Sequence, residues 1–573
     1  MTRVLLSNVR PDPVDTGVVA SLMDPFGERF TRGQGLFTLT GHLHHVGTHL
    51  IAQNIQAPTT VLEYPTLDDF RAEVDKGYDV IGISFLIHHT DRALEMCRIA
   101  RERSPRSTLV LGGHGTLNLD EAVPDERQRQ VLFDHVCRGD GVRFMRELLG
   151  EPADAPVRQG IFPRNGMAPP WLTRYPPGIV VPLVAGFGCT WRCEFCASAR
   201  FWDHRRIEFA GATELYADIQ RLYRIYPGLQ SFFIIDEDWM VQTKTIRELI
   251  PLMSGDRTFG GLAKFNFITE SSIASLRQYD PDELLLSGLS YVFIGYESKF
   301  TDALGFAKRL GEAEQVFGTL RERGICTNGA MMVGWDFHTP ENLPEDLEYF
   351  IRCRPTYAQF SRVVPYPGTA LWERLEQEGR LDRSVPWKDH HNYGGSYRHR
   401  HLTAEQVHHF IEAGYRRMYE TLGPSLLRMY DTFLDGYQYC QRRERRELRE
   451  DKAAYYRGRL QALSPLLKVF RVFAPNAHVR RLAEETERRR NDLLGPPSLA
   501  QRAVANALVV RAASYETRTA LRPRHTARRT FPCKRYIYDR RQLPDARPFR
   551  VEYDHADLGF RVQRWLMQRA GRA

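Results

Sequence analysis

The sequence predicts an α/β protein in three parts. These are an N-terminal doubly wound, Rossmann-like unit, a partial (β/α)6 TIM-like barrel, and a mainly α-helical C-terminal region. Three observations carry the prediction. Short apolar segments ending in Gly or Ser recur through the first 150 residues, six further strand-and-helix repeats follow, and after Arg380 the strand pattern stops. Continuous apolar strands alternating with helices are the mark of parallel sheets covered on both faces. A length of 573 residues corresponds to roughly two to four domains. The expected divisions are 1–150, a linker over 151–178, 179–380 and 381–573.

In the first unit the predicted strands are Val4–Leu6, Thr60–Leu62, Asp79–Ser84 and Thr108–Gly113, with a helix over Asp91–Arg103. In the second they are Val180–Gly186, Ser231–Ile235, Ala263–Thr269, Tyr291–Tyr296, Asn328–Gly334 and Tyr357–Val364, with helices such as Ala212–Tyr226 and Gly311–Gly324. Six such repeats give an incomplete parallel barrel with its site at the carboxyl ends of the strands. In the third, Thr403–Leu422, Leu427–Gln441 and Ser464–Arg490 carry apolar residues at three-to-four spacing, with Arg on the other face. Beyond Pro523 a mixture of Arg, Pro and aromatic residues predicts no element.

Hydrophobic residues at 42% and charged residues at 26% describe an ordinary globular chain. No apolar run approaches the ~20 residues that span a bilayer. The N-terminal MTRVLLSNVR lacks the apolar core of a signal peptide, so the expected location is cytoplasmic. The net charge of +9 is uneven: His401–Ala573 carries +16 and the first 400 residues −7. Arg442-Arg443-Glu444-Arg445-Arg446 and Arg488-Arg489-Arg490 are read as solvated helical faces, or as surfaces for an anionic partner, a membrane or a leader peptide. No zinc finger, RNA-recognition motif or aromatic-basic repeat points to nucleic acid.

Nine cysteines are too few for a disulfide scaffold, and three of them crowd together in Gly188-Cys189-Thr190-Trp191-Arg192-Cys193-Glu194-Phe195-Cys196. Three thiolates at x3 and x2 spacing, on a loop after a strand, can hold three irons of a [4Fe–4S] cube and leave the fourth open to another ligand. Structural zinc asks for four closed ligands, and His204 is the nearest fourth. The other six cysteines, scattered singly, read as small buried hydrophobes.

Cys189, Cys193 and Cys196, with Phe195 before the last, resemble the radical S-adenosylmethionine (SAM) superfamily. The resemblance extends in order through Phe233–Asp238, Phe267–Ser271, Ile294–Ser298 and Pro365–Thr369. It implies that the cysteines hold a [4Fe–4S] cluster whose open iron binds SAM, which is then cleaved to a 5′-deoxyadenosyl radical. It also implies that Asp236, Glu237 or Asp238 receives the methionine ammonium, that Glu270 lies near the ribose, and that Glu297 lies beside the adenosyl half.

The preceding unit resembles the cobalamin-binding module of one radical SAM class. The residues that carry this are Val80–Ser84, Gly112-Gly113-His114-Gly115-Thr116 and Arg138-Gly139-Asp140-Gly141. Ser84, Gly112, Gly113, Thr116, Gly139 and Gly141 are thereby implied to contact cobalamin, since glycines after buried strands let backbone approach a bulky planar group. A generic nucleotide-binding domain is the alternative. Modules that supply a cobalt-ligating histidine carry Asp-x-His-x-x-Gly, whereas Asp12–Gly17 has Val14 at the histidine position; His88 and His89 are the other histidines that could approach cobalt.

Together the resemblances imply a cobalamin-dependent radical SAM C-methyltransferase acting on an unactivated carbon. The substrate would be a small molecule, a natural product or a lipid, and the electrons would come from a donor such as flavodoxin or ferredoxin. The alternatives are a cyclase or oxidative enzyme with cobalamin as electron relay, and a non-catalytic Fe–S or cobalamin sensor.

Overall fold

The computed structural model describes residues 2–10, 28–42, 44–160, 162, 166–168, 180–226, 229, 231–301, 313–521, 533–539 and 550–552. Two parallel sheets dominate it. The first contains β1 (Val4–Asn8), β2 (Thr59–Glu63), β3 (Val80–Ser84), β4 (Thr108–Gly112) and β5 (His135–Cys137). The second contains β6 (Val180–Val184), β7 (Ser231–Ile235), β8 (Phe267–Ser271), β9 (Leu289–Glu297), β10 (Cys326–Val333) and β11 (Tyr357–Arg362). Two C-terminal strands, β12 (Lys534–Tyr538) and β13 (Arg550–Glu552), complete the set used here.

The first sheet runs β13-β12-β2-β1-β3-β4-β5. Its parallel part has the order 2-1-3-4-5, in which the chain winds one way from β1 to β2 and the other way from β1 to β3. A ligand crevice opens at the carboxyl ends of the strands flanking that switch. β1 is buried along its whole length, which is why Val4-Leu5-Leu6 reads as an apolar run. Short antiparallel strands over Thr40–His42 and Gly166–Ala168 pair with each other, so part of the expected linker is ordered beside this unit.

The second sheet runs β11-β10-β9-β8-β7-β6, each strand hydrogen-bonded in parallel to its sequence neighbour. Helices such as Ala212–Ile225, Ala313–Glu322 and Leu343–Cys353 connect the strands. The helices Ala404–Leu422, Ser425–Gln441, Ala453–Leu463 and Leu466–Val472 bury Tyr415, Tyr430, Tyr456 and Phe470 in the same core as this sheet. The C-terminal region is therefore packed onto the sheet through one continuous apolar core.

Two expectations for that region are corrected. The single helix over Ser464–Arg490 is two, Leu466–Val472 and Ala477–Leu494, because Pro475 interrupts the ladder and Asn476 caps the second helix at the Val479 N–H. The stretch beyond Pro523 does contain strands. β12 pairs antiparallel with β2, Lys534 opposite Glu63, and extends the first sheet. Its alternation was masked in the sequence by the Arg-rich surroundings.

The basic runs are largely occupied within the chain. Arg489 is bound by Asp431 and Asp435 on the Ser425–Gln441 helix, and Arg490 is 3% exposed. Arg443 reaches the Tyr439 hydroxyl, and Arg446 pairs with Glu450 one turn later.

Gly436 shows how closely the C-terminal helices approach the second sheet's layer. A Cβ there would sit 2.5 Å from the Gly324 Cα and 2.9 Å from the Tyr456 ring. Gly→Ala in an exposed helix gains about 1 kcal/mol. At Gly436 the overlap outweighs that gain, so Gly436→Ala is expected to lose about 1–3 kcal/mol, read as a lower urea midpoint at unchanged slope.

Candidate functional site

The carboxyl ends of β1, β3 and β4 and of β7 and β8 face a common cavity of about 480 Å³. Leu6, Val110, Met145, Phe187, Phe201 and Trp202 give it apolar walls, and Phe187 stacks on Trp202 at 5.4 Å. Ser84, Gly112, Gly113, Gly139 and Gly141 line one side and Asp236, Glu237 and Glu270 the other. Thr116, Asp238 and Glu297 do not line it, and neither do Cys189, Cys193 and Cys196.

The glycines are set by geometry. Gly113 has φ +87, and a Cβ there would come 2.7 Å from the Phe85 carbonyl oxygen. Gly139 has φ +97. Thr116 lies behind the turn and donates to the Gly113 carbonyl at 2.8 Å, holding it in shape.

The cysteine loop leaves β6 through Gly188, whose φ of +92 places its Cα so that a Cβ would sit 2.1 Å from the Arg205 carbonyl oxygen. All three cysteines are partly exposed. Cys196 caps the Ala197–Phe201 helix, its Sγ accepting from the Ala199 N–H. Phe195 packs edge-on against Trp335, and Glu194 pairs with Arg374. His204 turns its Nδ1 to the Trp191 carbonyl at 3.3 Å. Among the described residues the three sulfurs do not form a group converging within 4.8 Å. Three soft thiolates on one loop are donors suited to an iron–sulfur cluster, whereas structural zinc asks for four closed ligands. The donor set fits a cluster better than zinc.

The three acids after β7 have different surroundings. Asp236 is clamped by both Arg206 nitrogens, one at 2.8 Å. Asp238 accepts from the Trp191 indole at 2.8 Å, Ser271 at 2.9 Å and Ser275 at 2.8 Å. Glu237 accepts the Gly188 N–H at 2.7 Å and is half-buried at the cavity. Burial pushes the carboxyls of Asp236 and Glu237 above their usual range, with Arg206 opposing it at Asp236 and the neighbouring Asp236 adding to it at Glu237.

Glu270 is exposed to the cavity yet enclosed by protein around it. That enclosure, then the nearby Glu237, pushes its carboxyl up to about 7. Glu297 ends β9 with φ +60 and is 6% exposed. A non-glycine residue in that region stores about 1–3 kcal/mol of strain, characteristic of a functional edge. Ser298 beside it is held by Asp346 and His338.

Two histidines face the cavity: His45, which the sequence reading passed over, and His114, quoted within the Gly112–Thr116 motif but given no role. His45 approaches Ser84 at 3.3 Å and His114 approaches Ser198 at 3.3 Å. Burial holds both down at about 4, so both imidazoles are neutral. Of the two, His114 adjoins the Gly112-Gly113 turn in the sequence. His88 and His89 lie outside the cavity lining, and His88 packs near His391 instead. Asp12–Gly17 falls outside the described residues.

No family model matches the sequence. Among curated proteins, an uncharacterized methyltransferase of Pyrococcus horikoshii is 21% identical over 388 residues, 61% of this chain and 80% of that protein. The anaerobic magnesium-protoporphyrin IX monomethyl ester cyclase of Rubrivivax gelatinosus is 24% identical over 52% of this chain, a match spanning 58% of the cyclase and so under two thirds of it. The bacteriochlorophyllide d C-12(1)-methyltransferase of Chlorobaculum tepidum is 23% identical over 58% of this chain and 72% of its own.

Among solved structures, the radical SAM methyltransferase TsrM of Kitasatospora setae, with tryptophan and a SAM analogue bound, superposes at a TM-score of 0.50 and 15% identity. That match covers 73% of this chain and 89% of that one. TsrM with cobalamin and a [4Fe–4S] cluster gives 0.50 and 14%, covering 81% and 100%. The likeness is one of fold.

The Glu270 carboxyl gives the site a pH dependence. Its folded value of about 7 lies above its ordinary 4.5, so the folded state holds the proton more tightly and loses stability as pH rises across that window. Glu270→Gln is expected to flatten part of that fall, read as a smaller decline in thermal midpoint between pH 4.5 and 7 than the unsubstituted chain shows.

Proposed function

We propose that this chain, a radical SAM protein of the cobalamin-binding class, is an enzyme that methylates an unactivated carbon of a small-molecule substrate. The observation that carries the reading is the cavity shared by the two sheets. It brings the glycine turns of the first sheet and the acids of the second sheet to opposite walls, beside the three-cysteine loop. Relatives at 21–24% identity include C-methyltransferases acting on bacteriochlorophyllide d and the hopanoid C-2 methylase of Rhodopseudomonas palustris, which support the same chemistry. We read the second sheet, six strands in sequential order, as the partial (β/α)6 barrel of this class.

When bound, the cluster supplies the electron that opens SAM, and cobalamin carries the transferable methyl group. The chain's own residues do the rest. Cys189, Cys193 and Cys196 hold the cluster, with Gly188 setting the loop's exit. Glu237 and Glu270 receive the ammonium, since Asp236 is already neutralised by Arg206 and Asp238 is saturated by hydroxyl and indole donors. Two carboxylates pushed up by enclosure ask for a cation, and binding one restores their charge. Glu297 supports the adenosyl half from β9. Ser84, Gly112, Gly113, Gly139 and Gly141 seat the macrocycle and its tail, Thr116 bracing the turn from behind. The apolar walls exclude water from the reacting carbon.

A second reading, ring closure, is favoured by the cyclase relatives at 24% identity. Incubation with reductant, SAM, cobalamin and candidate substrate separates them. A methyltransferase yields S-adenosylhomocysteine and a product one methylene heavier, and a cyclase yields neither. Absence of 5′-deoxyadenosine under all conditions would refute both.

Two outcomes test the residue roles. Anaerobic reconstitution is expected to give about four irons per chain. The Cys189/Cys193/Cys196→Ala triple variant should lose them, Gly188→Ala should bind fewer, and substitution of Cys97 or Cys440 should leave the count unchanged. Glu237→Gln removes a charge-assisted bond worth about 1.5–3 kcal/mol, so SAM affinity should fall roughly ten- to a hundredfold by equilibrium dialysis.

A further inference from the structure

Behind the cavity wall, where β2, β12 and the Val46–Asn54 helix meet, His44, His49 and Glu63 converge. Among the described residues they are the one group of histidine, cysteine or acidic side chains whose ligand atoms all lie within 4.8 Å of one another. His44 Nδ1 is 2.8 Å from Glu63 Oε2, and His49 Nε2 is 3.1 Å from Glu63 Oε1. Glu63 and His49 are fully buried and His44 nearly so.

We propose that His44, His49 and Glu63 form a structural zinc site, completed by Tyr536, that fastens the C-terminal strand β12 to β2. Two imidazoles and a carboxylate converging on one point are a zinc donor set, and an N/O environment without sulfur suits a borderline divalent transition ion. The fourth position falls to Tyr536, whose hydroxyl is 3.4 Å from His44 Nδ1. The surroundings match those of a ligated histidine. The second ring nitrogen of His49 is held by the Tyr538 hydroxyl, which fixes ring orientation, and the His45 N–H steadies Glu63 Oε1 at 2.7 Å.

Lys534 lies opposite Glu63 in the pairing of β12 with β2. His44, His49 and Glu63 are buried and do not line the cavity. The role of the site is therefore to join residues 44–63 to residues 534–538, about 470 positions apart along the chain. Nothing in this inference depends on the methyltransferase reading.

The test uses the full chain purified anaerobically with its cofactors. Elemental analysis should find about one zinc per chain in addition to iron. That zinc should persist in the Cys189/Cys193/Cys196→Ala variant and fall at least about tenfold in His49→Gln and Glu63→Gln. Should those two variants fail to fold, X-ray absorption at the zinc edge of the unsubstituted chain decides: only nitrogen and oxygen ligands, two of them imidazole, support the site. Sulfur in that spectrum, zinc retained by a folded Glu63→Gln chain, or no stoichiometric zinc after equilibration with zinc sulfate would overturn the proposal.

Discussion

The arrangement of the site depends on one suspension. The loop carrying Cys189, Cys193 and Cys196 hangs from the end of the neighbouring strand by two bonds to carboxylates: the Gly188 N–H to Glu237, and the Trp191 indole to Asp238. Hydrogen bonds to charged groups contribute about 1.5–3 kcal/mol each, and a buried carboxylate stripped of its donors would cost more. β6 and β7 pair in register from Val180 opposite Ser231 to Val184 opposite Ile235, which brings the loop's start level with the acids. A slip of one residue would turn every side chain of β7 to the other face and separate the loop from its supports. Asp238 in turn gathers Ser271 and Ser275 from the end of β8, so three consecutive strands are tied at the edge where the cavity opens.

Much of this was legible in the sequence because parallel sheets write themselves as apolar runs. Ser231–Ile235 is observed at its expected bounds, and Val80–Ser84 and Thr108–Gly112 within one residue of theirs. The glycines after β4 and β5 were visible for the same reason, since only a residue without a Cβ tolerates the turn at Gly113. The division of labour among Asp236, Glu237 and Asp238 was not legible. It is decided by Arg206, Trp191 and Ser275, partners that sequence spacing does not reveal. His45 escaped notice because a lone histidine on a loop carries no periodicity, and Glu63 because it closes an otherwise ordinary strand.

The basic C-terminal third illustrates how charge counts mislead. Its Arg runs are read in the sequence as solvated helical faces, or as surfaces for an anionic partner, a membrane or a leader peptide. Yet Arg489 bridges two acids of a neighbouring helix and Arg490 is enclosed among backbone and amide oxygens. A run of like charge on a helix is a packing device when the facing helix supplies Asp431 and Asp435, and that pairing belongs to tertiary structure alone.

Because β12 pairs with β2, the first sheet has a border that must wait until synthesis has passed Tyr538. Between Glu63 and Lys534 lie about 470 residues, which at ~5–20 residues per second keep the ribosome occupied for ~25–95 s. During that interval β2 presents a free row of amide and carbonyl groups, the kind of edge that recruits strands from other molecules. Synthesis thus passes through a window of vulnerability to mispairing that ends only when Lys534–Tyr538 docks. A chaperone that shields nascent chains would bear directly on the yield of folded protein.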